Sequence, residues 1–352
     1  VFFLSLRNEG CPIQKSIFYS FFLYFGTPVM FYSLRLNTGQ NLLEAALLFL
    51  SFCILRASKS SEPPVIFLSG IFAGLAIFAN GSAVCYLLLY PLMVLFFHRK
   101  ANLIFWVMGF CLGILPLLIY HAVSFGQPLT TSYNMAKNLS LILDVSASLK
   151  VVSVLLFEPQ VGLIFFTPFL LLLIPLAPAL CRRPNNKIVL CATAFFIFGL
   201  SILWWSLLEL EEIKVREQWY FNQGGGGPRY LLPVIPFLLY MIVNEKLTDT
   251  QQRIAHPLIA LSLLINAPGL FWSGGSPFFL NNLSLFLKNG FHSYFIDLIC
   301  ELLASAGFNT DKISLWPTMT IFSLFIWWLW AGKAKIRNVL NDSPAVKLKH
   351  VV

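Results

Sequence analysis

Charged residues are scarce in this sequence. Asp, Glu, Lys and Arg make up 11% of its 352 residues, whereas 58% are hydrophobic and the mean hydropathy is +0.77. A soluble globular domain carries about 25% charged and about 45–50% apolar residues. The composition therefore argues against an ordinary soluble domain and predicts a protein that crosses a membrane several times. The net charge of +9 does not indicate a nucleic-acid partner. Most basic residues lie in short segments between apolar runs, where a membrane explains them better.

Motifs of several enzyme classes are also missing. The seven cysteines form no Cys-x-x-Cys pair, and most lie inside apolar runs, where cysteine behaves as a small hydrophobe. No disulfide or zinc framework is therefore predicted. The sequence has no Walker loop, dinucleotide fingerprint or Gly-x-Ser-x-Gly elbow, and its five histidines lack the spacing of metal ligands. We therefore predict no metal-binding residues.

Apolar runs of membrane-spanning character recur along the chain. A bilayer core requires about 20 mostly apolar residues per helix. The predicted spans are 16–30, 40–56, 63–79, 83–98, 102–121, 160–180, 187–208, 230–244, 257–273 and 316–332. Because only helices and closed barrels satisfy their backbone in lipid, we predict an all-α polytopic transmembrane bundle of about ten spans. It covers residues 1–337, and a cytoplasmic tail covers residues 338–352.

Basic residues indicate the orientation of this bundle. Most of the 24 Lys and Arg residues fall in segments on the same side as the C-terminal tail. Cytoplasmic loops carry an excess of Lys and Arg, so this side is predicted to be cytoplasmic. The long loops 122–159 and 274–315 and the glycine-rich stretch 219–230 then lie on the outer face.

The glycine-rich stretch combines a permissive backbone with a fixed positive charge. Gly224 to Gly227 precede a proline, Arg229 and an apolar run. Glycine lets backbone N–H groups come close to a bound group. The planar guanidinium of an arginine can donate hydrogen bonds to two oxygens of a phosphate or carboxylate at once. The alternative is a flexible loop in which Arg229 meets lipid headgroups. Trp219 and Tyr220 are expected either in an interfacial aromatic belt or along a glycan groove.

Glycine and proline mark three junctions at predicted outer ends of spans: Gly26-Thr27-Pro28, Gly126-Gln127-Pro128 and Pro159-Gln160-Val161-Gly162. Broken helix ends at membrane depth need protein or water around them, so these junctions favour an outer cavity. His121 ends a span on this face and is a candidate to line that cavity. Glu44, near an outer helix end, is expected to face the bundle interior, and an interhelical hydrogen bond is the favoured reason.

The order of these segments resembles that of the GT-C membrane glycosyltransferases. More narrowly, the sequence resembles the bacterial phospholipid-carrier-dependent, or dolichyl-phosphate-mannose-type, mannosyltransferases. The resemblance covers roughly residues 7–275. The similar segments are Phe25-Gly26-Thr27-Pro28 with Phe31-Tyr32-Ser33, Tyr120-His121 with Phe125-Gly126-Gln127-Pro128 and Tyr133, Glu158-Pro159-Gln160-Val161-Gly162-Leu163 with Pro168, and Gly227-Pro228-Arg229-Tyr230-Leu231-Leu232-Pro233 with Pro236. The sequence departs from the pattern at Asn37-Thr38-Gly39-Gln40, where many relatives have a histidine.

The resemblance implies an enzyme that transfers a sugar from a polyprenyl-phosphate donor. It also implies an acceptor, a glycan, lipid or protein, on the non-cytoplasmic face of a membrane that is expected to be the bacterial cytoplasmic (inner) membrane. The residues expected to bind the donor phosphate are Arg229, Gly225, Gly226, Gly227 and Tyr230. Those expected to line the cavity are Tyr32, His121, Tyr133, Trp219 and Tyr220.

A catalytic aspartate is also implied, in a first outer loop that would lie upstream of Val1. The opening residues Val1 to Leu6 are typical of the last turns of a helix already in progress. We therefore expect an N-terminally truncated chain that does not turn over substrate by itself. Glu158 is the remaining carboxylate candidate for contact with the acceptor or with a divalent cation. Two alternatives stay open: a transporter or flippase of lipid-linked glycans, and a non-catalytic remnant of a transferase.

Overall fold

The computed structural model describes residues 1–29, 39–57, 62–86, 89–129, 145–157, 162–209, 231–266, 304–305 and 307. Every regular element in these ranges is helical, which confirms the all-α prediction for this part of the chain. The α-helices are α1 (Phe2–Asn8), α2 (Ile13–Phe25), α3 (Gly39–Ala57), α4 (Pro63–Ala79), α5 (Leu89–Phe97), α6 (Asn102–Phe125), α7 (Val145–Phe157), α8 (Leu163–Phe166), α9 (Leu173–Leu180), α10 (Pro184–Glu209), α11 (Val234–Asn244) and α12 (Asp249–Asn266). Two 3₁₀ helices, Gly81–Tyr86 and Pro168–Leu172, precede α5 and α9.

Several predicted spans differ from the helices that form. Helix α4 begins and ends as predicted, and α3 and α6 cover their predicted runs. The run 160–180, however, is divided into α8, a 3₁₀ helix and α9, because Pro168 has no N–H to continue the first helix. Helix α2 ends at Phe25, where Gly26-Thr27-Pro28 follows. Helix α7 lies within the predicted outer loop 122–159.

A glycine seam joins α4 to α6. A Cβ atom on Gly70 would collide with the backbone carbonyl oxygen of Trp106, and one on Gly109 would collide with that of Phe67. Gly74 and Gly113 have the same kind of backbone contact one turn further along. Small residues at four-residue spacing let two helices approach closely, as in membrane helix pairs. The two backbones are therefore in direct contact over two turns.

Helix α11 lies in the core of the bundle. All of its residues from Val234 to Val243 are buried. Phe237 packs edge-on against Phe49 and Phe52 of α3, with ring centroids 5.4 and 5.2 Å apart. Eleven residues of helix extend only about 16 Å, so α11 is much shorter than the roughly 30 Å hydrocarbon core of a bilayer.

Two described helices, Gln40–Ala57 and Asn102–Phe125, are long and apolar enough to cross a membrane. On α6, an outward-facing apolar stripe runs from one end of the helix to the other. Its members are between 44% and 82% exposed: Ile104, Met108, Leu112, Leu115, Ile119 and Val123. The other face of α6 carries the glycine seam, so this helix divides into a packed face and a bare apolar face.

Candidate functional site

Asn266 joins the C-terminal ends of α2 and α8. Its side-chain amide donates to the carbonyl oxygens of Phe166 at 2.7 Å, Ser262 at 2.8 Å and Gly26 at 3.3 Å. Phe166 is the last residue of α8, and Gly26 directly follows α2. Terminal carbonyls have no partner within their own helix, so a buried amide from α12 supplies the missing donors.

The break at Thr167-Pro168 is stabilised by the same helix. The Oγ of Ser262 accepts a hydrogen bond from the backbone N–H of Phe169 at 3.0 Å. The Phe169 ring then packs edge-on against Phe22 of α2, with centroids 5.0 Å apart. Of the three predicted glycine and proline junctions, Gly26-Thr27-Pro28 therefore lies beside the break at Thr167-Pro168. Residues 159–161 of the junction Pro159-Gln160-Val161-Gly162 lie outside the described ranges. No spacing or motif in the sequence indicates that Asn266 connects these two segments.

Glu44 forms a second buried polar group near the start of α3. Its side chain has no exposed surface. It accepts hydrogen bonds from Asn80 Nδ2 at 2.9 Å and from Ser82 Oγ at 2.9 Å, beyond the end of α4. The expected interhelical hydrogen bond is confirmed. One turn earlier, Asn41 is buried and its Nδ2 has no hydrogen-bond partner among the described residues. We call the helix ends at Gly26, Glu44, Asn80 and Asn266 the amide end.

The opposite helix ends are held by charged groups. Arg56 Nε lies 2.7 Å from Glu9 Oε1, and the Tyr240 hydroxyl donates to the same oxygen at 2.7 Å. The Arg56 guanidinium also lies over the Tyr240 ring, 5.2 Å from its centroid. Burial raises the pKa of Glu9, but the hydrogen bonds from Arg56 and Tyr240 and the nearby positive charges outweigh it. The pKa of Glu9 is therefore below its ordinary value of 4.5.

Further contacts bring more loops to this end. Arg183 Nε lies 3.2 Å from Glu245 Oε1, and Asn186 donates to the same carboxylate at 3.1 Å. Lys15 Nζ donates to the backbone carbonyl of Val243 at 2.7 Å. We call this set of helix ends, with Glu9 and Arg56, the ion-pair end. It joins loops that the distribution of Lys and Arg assigned to one side.

Among the predicted site residues, the structure describes His121. It lies in the last two turns of α6, half-buried, with its ring 5.8 Å from Tyr120 and 5.6 Å from Phe125. The other predicted residues lie outside the described ranges: Glu158, Arg229, Gly225, Gly226, Gly227, Tyr230, Tyr32, Tyr133, Trp219 and Tyr220. Within the described ranges, no group of three or more His, Cys, Asp or Glu side chains could hold a metal ion.

The chain enters the core directly after the glycine-rich stretch. Leu231 and Leu232, the first described residues beyond Arg229, have no exposed surface. They are followed by Pro233 and the buried helix α11. A search of protein-family models, curated proteins and solved structures found no match to this chain.

Proposed function

We propose that the chain is embedded in a membrane through its helical bundle. The apolar stripe on α6 carries this proposal, because a long bare apolar face is costly in water and favourable in lipid. Helix α6 has 24 residues, and at about 1.5 Å per residue it exceeds the roughly 30 Å hydrocarbon core. The ten-span arrangement belongs to this proposal, with the ion-pair end cytoplasmic and the membrane a bacterial inner membrane.

We further propose that the bundle is part of a glycosyltransferase that uses a lipid-linked sugar donor. The supporting observation is the contact at Asn266, which brings together two of the segments that resemble GT-C transferases. These segments are more than a hundred residues apart in the sequence, yet both carbonyls accept from one amide. Broken helix ends line cavities in membrane proteins, so the amide end is the proposed place of the chemistry.

Arg229 is the proposed ligand of the donor phosphate. A charge-assisted hydrogen bond contributes about 1.5–3 kcal/mol, so its loss should weaken donor binding roughly tenfold to a hundredfold. Gly225, Gly226 and Gly227 would let the backbone approach the phosphate, and Tyr230 would close one side. Glu158 is the proposed carboxylate for contact with the acceptor or with a divalent cation.

The test is a donor-binding measurement on the whole chain in lipid nanodiscs. Arg229→Ala should weaken binding of a polyprenyl-phosphate sugar most, and Arg229→Lys should recover part of the loss because it keeps the charge without the planar fork. Arg99→Ala, an exposed arginine at the opposite end, is the matched control. If all three bind like the parent, Arg229 is a headgroup anchor and the phosphate assignment is wrong.

A transporter of lipid-linked glycans is the second candidate. The meeting of two interrupted helices at Asn266 favours it, because transporters build substrate sites from such helices. Liposomes loaded on one side with a labelled lipid-linked sugar distinguish the two functions. A transporter moves the intact labelled lipid across the bilayer, whereas a transferase separates the sugar from its lipid carrier and attaches it to an acceptor.

A further inference from the structure

A cleft of about 590 Å³ opens at the ion-pair end, away from the amide end. Its walls are α2, α12 and the turn that joins α11 to α12. The residues that matter for its chemistry are Lys15, Phe18, Tyr19, Lys246, His256 and Ile259. None of them takes part in the contacts at Asn266 or Glu44, so the cleft is a separate site.

The two helical walls show the same order of polar and apolar side chains. On α2, Lys15 is followed one turn later by Phe18 and Tyr19. On α12, His256 is followed one turn later by Ile259. One helical turn is about 5.4 Å, so a layer of cationic and N–H-donating groups lies just outside an apolar layer. This order fits an amphiphile with an anionic head and an apolar tail.

The charges of the cleft favour an anion. Lys15 uses one donor on the carbonyl of Val243 at 2.7 Å, and an ammonium group has two more donors. Lys246 is exposed at the rim. The carboxylate in the wall, Glu245, is already paired with Arg183 and accepts from Asn186. An incoming anion therefore meets two lysines and a carboxylate whose charge is compensated.

We propose that this cleft binds the headgroup of an acidic phospholipid, with an acyl chain against Phe18 and Ile259. The inference rests on the membrane placement proposed above. Basic pockets between helices on the cytoplasmic side are known to hold such headgroups, and each lysine near an anionic lipid strengthens its binding several-fold. Free phosphate would use the lysines and leave the apolar layer unoccupied. A phospholipid uses both layers.

The experiment titrates the detergent-solubilised full chain with phosphatidylglycerol and with phosphatidylcholine, and native mass spectrometry counts the bound lipid. The parent should prefer phosphatidylglycerol. The double variant Lys15→Gln with Lys246→Gln should lose about tenfold or more in affinity for it. Lys246→Gln alone, a change at an exposed side chain, should lose several-fold with the fold intact. Arg99→Gln with Lys100→Gln removes the same charge from exposed positions outside the cleft and should change the affinity less than twofold.

Two results would overturn the proposal. Equal losses in the cleft variant and in the Arg99 and Lys100 control would mean that the lipid responds to overall charge. Complete displacement of the lipid by millimolar inorganic phosphate would mean a free-anion site without an acyl-chain contact. Flotation of the parent with vesicles separates this inference from its premise. A chain that fails to float contradicts the membrane placement, whereas a chain that floats without lipid preference contradicts the cleft alone.

Discussion

At the ion-pair end, Arg56 and Glu9 lie 2.7 Å apart while their side chains stay 20% and 32% exposed. At the amide end, Asn266 is buried and one amide serves three backbone carbonyls. The first arrangement joins side chains that water can also solvate. The second provides a hydrogen-bond donor to buried backbone carbonyls, which water does not reach.

This difference determines how much each end should tolerate substitution. Partly exposed ion pairs typically contribute about 0–1 kcal/mol, because water solvates the separated charges well. A buried group that loses its partner costs about 1–3 kcal/mol. The amide end should therefore be the sensitive one, although it carries less formal charge.

Asn266→Ala is the substitution with the largest expected effect. It leaves the carbonyls of Gly26, Phe166 and Ser262 without this donor, so the free energy of unfolding should fall by about 3 kcal/mol. Unfolding by SDS titration measures it. Arg56→Gln, which removes the partly exposed ion pair with Glu9 at the ion-pair end, is the control and should lose at most about 1 kcal/mol. Equal losses would show that the two ends do not differ.

Glu44 tests whether the amide end needs a carboxylate or only an acceptor. Glu44→Ala leaves Asn80 Nδ2 and Ser82 Oγ without their acceptor and should cost about 2 kcal/mol. Glu44→Gln keeps one carbonyl oxygen and should cost less than about 1 kcal/mol. The same SDS titration compares them. A glutamine variant as unstable as the alanine variant would mean that the negative charge itself is required.

Glu9 should give the smallest effect, and that effect should depend on pH. Its folded pKa is lowered, so the stabilisation is present above the ordinary value of 4.5 and is lost as the pH falls below it. Glu9→Gln should cost at most about 1 kcal/mol at neutral pH, and the difference from the parent should shrink in acid. A difference that grows on acidification would contradict the assignment.

The sequence predicted long helices better than interrupted ones. The predicted span 63–79 has the bounds of helix α4, because Pro63 begins its apolar run and Asn80 follows it. The break at Thr167-Pro168 lies inside one continuous apolar run. Hydropathy does not indicate a helix break there, and the sequence feature that does is Pro168. Helix α7 lies in a segment that the sequence predicts as an outer loop, because the apolar run from Val145 to Phe157 is too short for a span.

For the candidate site, the sequence predicted the junctions but not their partners. Gly26-Thr27-Pro28 stands out because glycine and proline interrupt helices. Asn266 is a lone amide at the end of a span, and no spacing relates it to Gly26. The sequence likewise does not relate Lys15 to His256, because only folding brings their two helices together around one cleft.

The glycine seam between α4 and α6 has a consequence for the order of assembly. Gly70 and Gly74 are synthesised before α5 and long before Gly113, so a nascent chain holds one half of the seam without the other. The seam can therefore close only after Gly109 and Gly113 have also been synthesised, so helix α4 is made before the helix against which it packs.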